Sequence, residues 1–182
     1  MRAAARLHES AWLAMLLVLG AIQTAALVLQ VAHGELPCPL CLLQRVAMFG
    51  IAFGLIDQLR RGPCVRATGL SLLWTLVLLI VSARQVLMNI TPRPGHSYPG
   101  SAVFGLHMPV WSVVIALILL LAFAAELALV GTRRENRPSP FLAGLGGWAS
   151  AATVALCVFN LGAALLQCGF DACHTSGYRW PH

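Results

Sequence analysis

The sequence predicts an all-α fold, an integral membrane helix bundle with five spans, and three observations predict it. Hydrophobic residues make up 59% of the 182 positions and charged residues only 10%, whereas soluble domains carry about a quarter charged residues. Five apolar runs reach the length of about 20 residues that a helix needs to cross a bilayer. Most of the arginines gather in the short segments between those runs. A mean hydropathy of +0.80 agrees.

Met1 to Ser10 carries Arg2 and Arg6 and leads into the uncharged stretch Ala11 to Ala32. That stretch is longer than a signal-peptide core and lacks a convincing small-x-small cleavage site, so a retained first span is expected. His33 to Leu40 is a short polar turn holding Glu35, Pro37, Cys38 and Pro39. Leu42 to Leu59 forms the second span, apolar except near its ends, where Gln44, Arg45 and Asp57 lie. A tight basic loop with Arg60, Arg61 and Arg66 precedes the third span, Ala67 to Met88, which has Arg84 in its last turns. Asn89 to Met108 is punctuated by Pro and Gly and is expected to be an irregular loop. Pro109 suits the first turn of the fourth span, Pro109 to Val130, which carries Glu126 near its end. After Arg133, Arg134 and Arg137 comes the uncharged fifth span, Phe141 to Gln167, and then a tail from Cys168 to His182. A chain of this length allows one domain, spent almost entirely on spans.

Arginines near span ends mark the cytoplasmic side. Arg2, Arg6, Arg60, Arg61, Arg66, Arg133, Arg134 and Arg137 fall on one side, against Arg93 and Arg179 well outside the membrane on the other. The N-terminus is therefore expected in the cytoplasm, with the Cys38 turn, the Asn89 to Met108 loop and the tail in the periplasm. The net charge of +6 reflects this topology and not nucleic-acid binding, since no aromatic-interleaved basic patch accompanies it.

Topology sorts the six cysteines. Cys38, Cys41, Cys168 and Cys173 face the oxidising compartment, where disulfides persist. Cys64 lies in a cytoplasmic loop and Cys157 inside the fifth span, and neither is assigned a role. Cys38-Pro39-Leu40-Cys41 is a C-x-x-C at a helix start, where free N–H groups and the helix dipole favour the thiolate that attacks a disulfide or a quinone. A static disulfide or half of a zinc site shares this pattern. A static bond across so small a ring would stabilise little, and zinc would need further ligands such as Cys168, Cys173 and His174. Arg45 follows Cys41 by four residues and shares its helix face one turn deeper in the bilayer. It reads either as a cation beside a quinone oxygen or as an anchor snorkelling to the interface. Arg84 and Gln85 are candidates to complete a polar quinone headgroup site, or interfacial anchors.

The run Leu36-Pro37-Cys38-Pro39-Leu40-Cys41-Leu42-Leu43-Gln44-Arg45 between the first two spans resembles the signature of the disulfide-bond formation protein B (DsbB) family. Gly105-Leu106-His107-Met108-Pro109-Val110-Trp111 is similar to the start of that family's fourth span. The resemblance implies a four-helix membrane core, here with a fifth helix added, in the bacterial inner membrane. It implies a thiol oxidase in which Cys38 and Cys41 form the quinone-coupled disulfide, Cys41 meeting the quinone and Cys38 exchanging with a second pair. Arg45, with Gln44 beside it in the motif and Arg84 nearby, would bind ubiquinone or menaquinone, and no metal is implied. The client would be a periplasmic thioredoxin-fold oxidase of the DsbA type. Well-known members carry the second cysteine pair in the loop between spans three and four, but Asn89 to Met108 has no cysteine. Cys168 and Cys173 are expected to replace it, with a structural clip on the tail as the other reading. Two further readings of the whole chain remain. One is a vitamin-K-epoxide-reductase-like quinone reductase, whose C-x-x-C usually lies late in the chain. The other is a non-enzymatic metal-binding membrane subunit.

Overall fold

The computed structural model describes residues 2–32, 34, 37–90, 102–130 and 140–168. They form helices α1 (Arg2–Ala32), α2 (Pro39–Arg61), α3 (Val65–Ile90), α4 (Met108–Val130) and α5 (Pro140–Cys168). Each is long and apolar enough to cross a membrane, and a helix satisfies its own backbone polar groups, as a lipid environment requires. The fold is an all-α membrane bundle. Each expected span lies within one helix. The largest extension is in α1, which begins at Arg2 because Arg2, the Ala3 to Ala5 run, Arg6 and Leu7 are all strong helix formers.

The start of α2 is fixed locally. Pro39 occupies the first turn, where its missing N–H is no loss. Cys38, extended at φ −69° and ψ 160°, is the N-cap, and its sulfur accepts from the Cys41 N–H. At the other end Gly62 takes φ 86° and its N–H donates to Gln58 O at 2.8 Å, a left-handed conformation that favours glycine.

Helix α2 is the hub, packing on α3 along one side and on both α1 and α5 along the other, while α4 packs on α3. The α2–α3 seam is closed by small residues. A Cβ on Gly54 would collide with the Ser71 hydroxyl and sit 2.8 Å from the Ala67 carbonyl, and one on Gly50 would enter the Trp74 ring. Close helix approach through small residues is how membrane helices gain van der Waals contact. Leu16, Ile51, Leu55, Leu78, Ala116 and Phe123 fill the core. Ile80, Leu121 and Phe159 are among the large apolar residues on the outside, as a lipid-facing surface demands.

At the end of the bundle away from Cys38, one carboxylate ties four helices. Glu126 of α4 accepts from Trp12 Nε1 of α1 at 3.4 Å, Gln58 Nε2 of α2 at 3.1 Å and Thr68 Oγ1 of α3 at 3.1 Å. Ahead of α4, β1 (Ala102–Val103) and β2 (Leu106–His107) form an antiparallel hairpin, turned by Phe104 and Gly105 at φ 52° and 76°. The irregular loop expected over Asn89 to Met108 therefore needs correction at both edges. Asn89 and Ile90 finish α3, and residues 102–107 pair as the hairpin.

Candidate active site

Cys38 and Cys41 are half-buried and free. The Cys41 N–H donates to Cys38 Sγ at 3.2 Å, because capping folds the side chain back over the first turn. The second helix facing this turn is α3, and it contributes Gln85. Its amide Nε2 lies 3.4 Å from Cys38 Sγ and 3.4 Å from Cys41 Sγ, within donating range of both. Gln85 is itself held, since its Oε1 accepts from Gln44 Nε2 at 2.8 Å. The Ser112 hydroxyl of α4 donates to Gln44 Oε1 at 3.2 Å, sharing its proton with the Met108 carbonyl at the same distance. Gln85, Gln44 and Ser112 are all buried. Sharing a hydrogen bond with the Cys41 sulfur, and then burial, push the Cys38 thiol above its ordinary range, outweighing the backbone N–H groups that favour its thiolate.

Arg45 points the other way, into the junction of α1, α2 and α5. Its Nη1 donates to Gln30 Oε1 at 2.6 Å and Asn160 Oδ1 at 3.1 Å, and its Nη2 to the Ala26 carbonyl at 3.1 Å. Asn160 presents that oxygen because its own Nδ2 is bonded to Leu156 O at 3.0 Å. Gln23 Nε2 donates to the Arg45 carbonyl at 2.9 Å. Among the described residues, the buried Gln30 Nε2 has no hydrogen-bond partner. A buried donor left over beside a guanidinium is a place for an acceptor oxygen, and a quinone carbonyl has that chemistry.

The last turn of α5 reaches the cysteine turn. Gln167, 1% exposed, donates through Nε2 to the Pro37 carbonyl at 2.9 Å, next to Cys38. Cys168 follows it and is disulfide-bonded; Cys173 and His174 lie outside the described residues.

The structure thus brings Cys38, Cys41 and Gln44 into one polar group with Gln85, and sets Arg45 one turn below on the α1–α5 side. Gln44 and Arg45, adjacent in sequence, serve opposite sides of α2. Arg84 is exposed. Cys64 is exposed in the turn before α3, and Cys157 is half-buried on α5. Ser112, Gln30, Asn160 and Gln167 were not singled out in the sequence. Each is a single polar residue within or bordering an apolar run, a feature that is costly in lipid and therefore informative.

The family model for disulfide bond formation protein DsbB matches residues 8–97, a segment that contains the cysteine turn and both helices framing it. Disulfide bond formation protein B of Cupriavidus metallidurans is 29% identical, in an alignment covering 62% of this chain and 85% of that relative. No solved structure matches. The family match takes in the paired sulfurs and both glutamines beside them, and together with the curated relative it supports the DsbB family of disulfide bond formation membrane proteins for this chain.

Proposed function

We propose that the chain is a membrane thiol oxidase that reoxidises a periplasmic DsbA-type thioredoxin-fold protein and passes the electrons to a membrane quinone. The observation that carries this reading is a free cysteine pair at a helix N-terminus, one turn above a half-buried arginine that has an unpartnered amide donor beside it. Arg45 and Gln30 are the residues that would hold a quinone carbonyl. When bound, the quinone takes up the two electrons and two protons released as Cys38 and Cys41 return to the disulfide. The protein's part is to hold the headgroup and the sulfurs together, the demanding redox chemistry belonging to the cofactor.

Electrons enter through the tail. In this reading Cys168 pairs with Cys173, a pairing supported by the other four cysteines being free. A client thiolate attacks one sulfur of that bond and the other leaves as a thiolate. The second client thiolate then attacks the mixed bond, giving the client disulfide and the tail dithiol. The tail dithiol reduces the Cys38–Cys41 bond by the same two displacements, with Cys38 attacked and Cys41 leaving. Each displacement needs a thiolate in line with an accessible sulfur. The Gln167–Pro37 contact supports this route, because it pins the residue before Cys168 to the residue before Cys38. The arginine distribution supports a cytoplasmic N-terminus and a periplasmic Cys38 turn in the bacterial inner membrane. A metal-binding subunit is disfavoured because a disulfide-bonded Cys168 supplies no thiolate ligand.

The test is reduction of ubiquinone-1 or menadione by the purified protein with a reduced thioredoxin-fold client. Wild type is expected to be active, and Cys41→Ser and a Cys168→Ser, Cys173→Ser double variant inactive. Activity retained in the double variant would reduce the tail disulfide to a clip. An inactive wild type would refute the oxidase reading.

A further inference from the structure

We propose that Gln85 is a catalytic residue of the thiol exchange, donating its amide N–H to whichever sulfur of the reduced pair carries negative charge, with Gln44 and Ser112 as the residues that position it. This rests on Cys38 and Cys41 being the redox pair.

The geometry points to a built donor and not to a passing contact. Gln85 Nε2 is equidistant from the two sulfurs, at 3.4 Å each, so it serves both without moving. An amide can be rotated to present its oxygen instead, which would repel a thiolate, and here that rotation would also break the bond to Gln44. Gln44 Nε2 donates to Gln85 Oε1 at 2.8 Å, and Gln44 is in turn oriented by the Ser112 hydroxyl at 3.2 Å. Three helices each supply one member, and Gln85 is only 3% exposed, so water does not substitute for it. A thiolate is a far better acceptor than a disulfide sulfur, and hydrogen bonds to charged groups are the stronger kind. The contact therefore favours the reduced pair over the oxidised one. A disulfide whose reduced form is stabilised is a stronger oxidant, which is the property needed to draw electrons from the tail pair. Arg45 bonds toward α1 and α5 and Gln44 toward α3 and α4, so the donor and the cation reach the cysteine pair from different sides of α2.

A purely structural Gln85, gluing α3 to α2, would affect stability and leave the sulfurs' chemistry alone. The experiment separates the two on full-length protein in detergent. It measures the pH profile of iodoacetamide alkylation of the reduced cysteine pair and the reduced-to-oxidised ratio of that pair in a fixed glutathione buffer. For Gln85→Leu the midpoint of the profile is expected to move up by about one pH unit, a tenfold loss of thiolate near neutrality, equivalent to about 1.4 kcal/mol. The reduced-to-oxidised ratio is expected to fall by a similar factor. Gln85→Glu, which keeps the shape but replaces the donor with a carboxylate oxygen, should shift both readouts further. Ser112→Ala should shift them less and in the same direction. Profiles for Gln85→Leu and Gln85→Glu that superimpose on wild type would overturn the proposal. If Gln85→Leu does not fold, unchanged midpoints in Gln85→Glu and Ser112→Ala overturn it equally. Neither readout uses quinone, so failure of wild type to reduce quinone would refute the oxidase reading while leaving Gln85 decided by its own measurement.

Discussion

The junction of α1, α2 and α5 makes a quantitative prediction. Arg45 Nη1 lies 3.1 Å from Asn160 Oδ1 and 2.6 Å from Gln30 Oε1, and Nη2 lies 3.1 Å from the Ala26 carbonyl. Side-chain hydrogen bonds between membrane helices average about 0.6 kcal/mol and reach about 1.7, and an ionised donor roughly doubles a bond's strength. A double-mutant cycle of Arg45→Leu and Asn160→Leu should therefore give a coupling energy of about 1–1.7 kcal/mol. Arg45→Leu alone leaves the acceptors on Gln30, Ala26 and Asn160 without this donor, but it also removes the cost of holding a cation in lipid, which is up to about 2.5–3.5 kcal/mol at a helix centre on insertion scales and less this near a span end. Its net destabilisation should thus be well below the sum of three bonds. The assay is SDS-induced unfolding in mixed micelles for the four proteins, with the quinone KM measured alongside. KM should rise most in Arg45→Leu and less in Asn160→Leu, where the guanidinium remains but loses one restraint. A coupling energy within about 0.3 kcal/mol of zero, the scatter expected of independent sites, would refute the argument that α5 holds the arginine in place.

Three shorter predictions follow from the same geometry. Because the Cys38 thiol is raised above its ordinary range, it keeps its proton near neutral pH and gains reactivity only as pH rises well above it; limiting iodoacetamide at pH 7 should place the first adduct on Cys41, and mass spectrometry finding it on Cys38 would be contrary. Gln167→Leu removes the bond to the Pro37 carbonyl and should slow quinone reduction driven by the protein client severalfold while leaving that driven by dithiothreitol unchanged, so equal slowing of both would argue against a positioning role for the α5 end. Gly54→Val forces a side chain against Ser71 and the Ala67 backbone and should cost about 1–3 kcal/mol by overpacking, read as a lower unfolding midpoint in SDS; an unchanged midpoint would mean the α2–α3 seam is looser than described.

Much of this architecture was legible in the residues. The five apolar runs and the C-x-x-C at a helix start needed no tertiary information, since bilayer thickness and helix capping act locally. What was hidden depends on which helix faces which. Gln44 and Arg45 read as one site in sequence, yet neighbouring residues project about 100° apart around a helix, and α2 has partners on both sides. Gln44 therefore joins α3 and α4, and Arg45 joins α1 and α5. Hydropathy also gives no reason for α5 to pack on α1 and α2 in preference to α4, so the roles of Asn160 and Gln167 could not be foreseen. Arg84 stood out by its charge, whereas its neighbour Gln85, also noticed, is the residue that reaches the sulfurs. Its contact is with the cysteine pair, where the sequence had suggested a quinone headgroup.

The most direct measurement is an anaerobic single turnover of the fully reduced protein with quinone and no client. Oxidation of Cys38 and Cys41 to the disulfide supplies two electrons, and a quinone needs two to become quinol. The account predicts that quinol appears in step with loss of thiols, two per quinol, from the Cys38–Cys41 pair and from the Cys168–Cys173 pair that refills it, followed by mass spectrometry after alkylation, and that Cys41→Ser forms none. Quinone left unreduced while both thiols remain free, or quinol formed at the wild-type rate by Cys41→Ser, would contradict it.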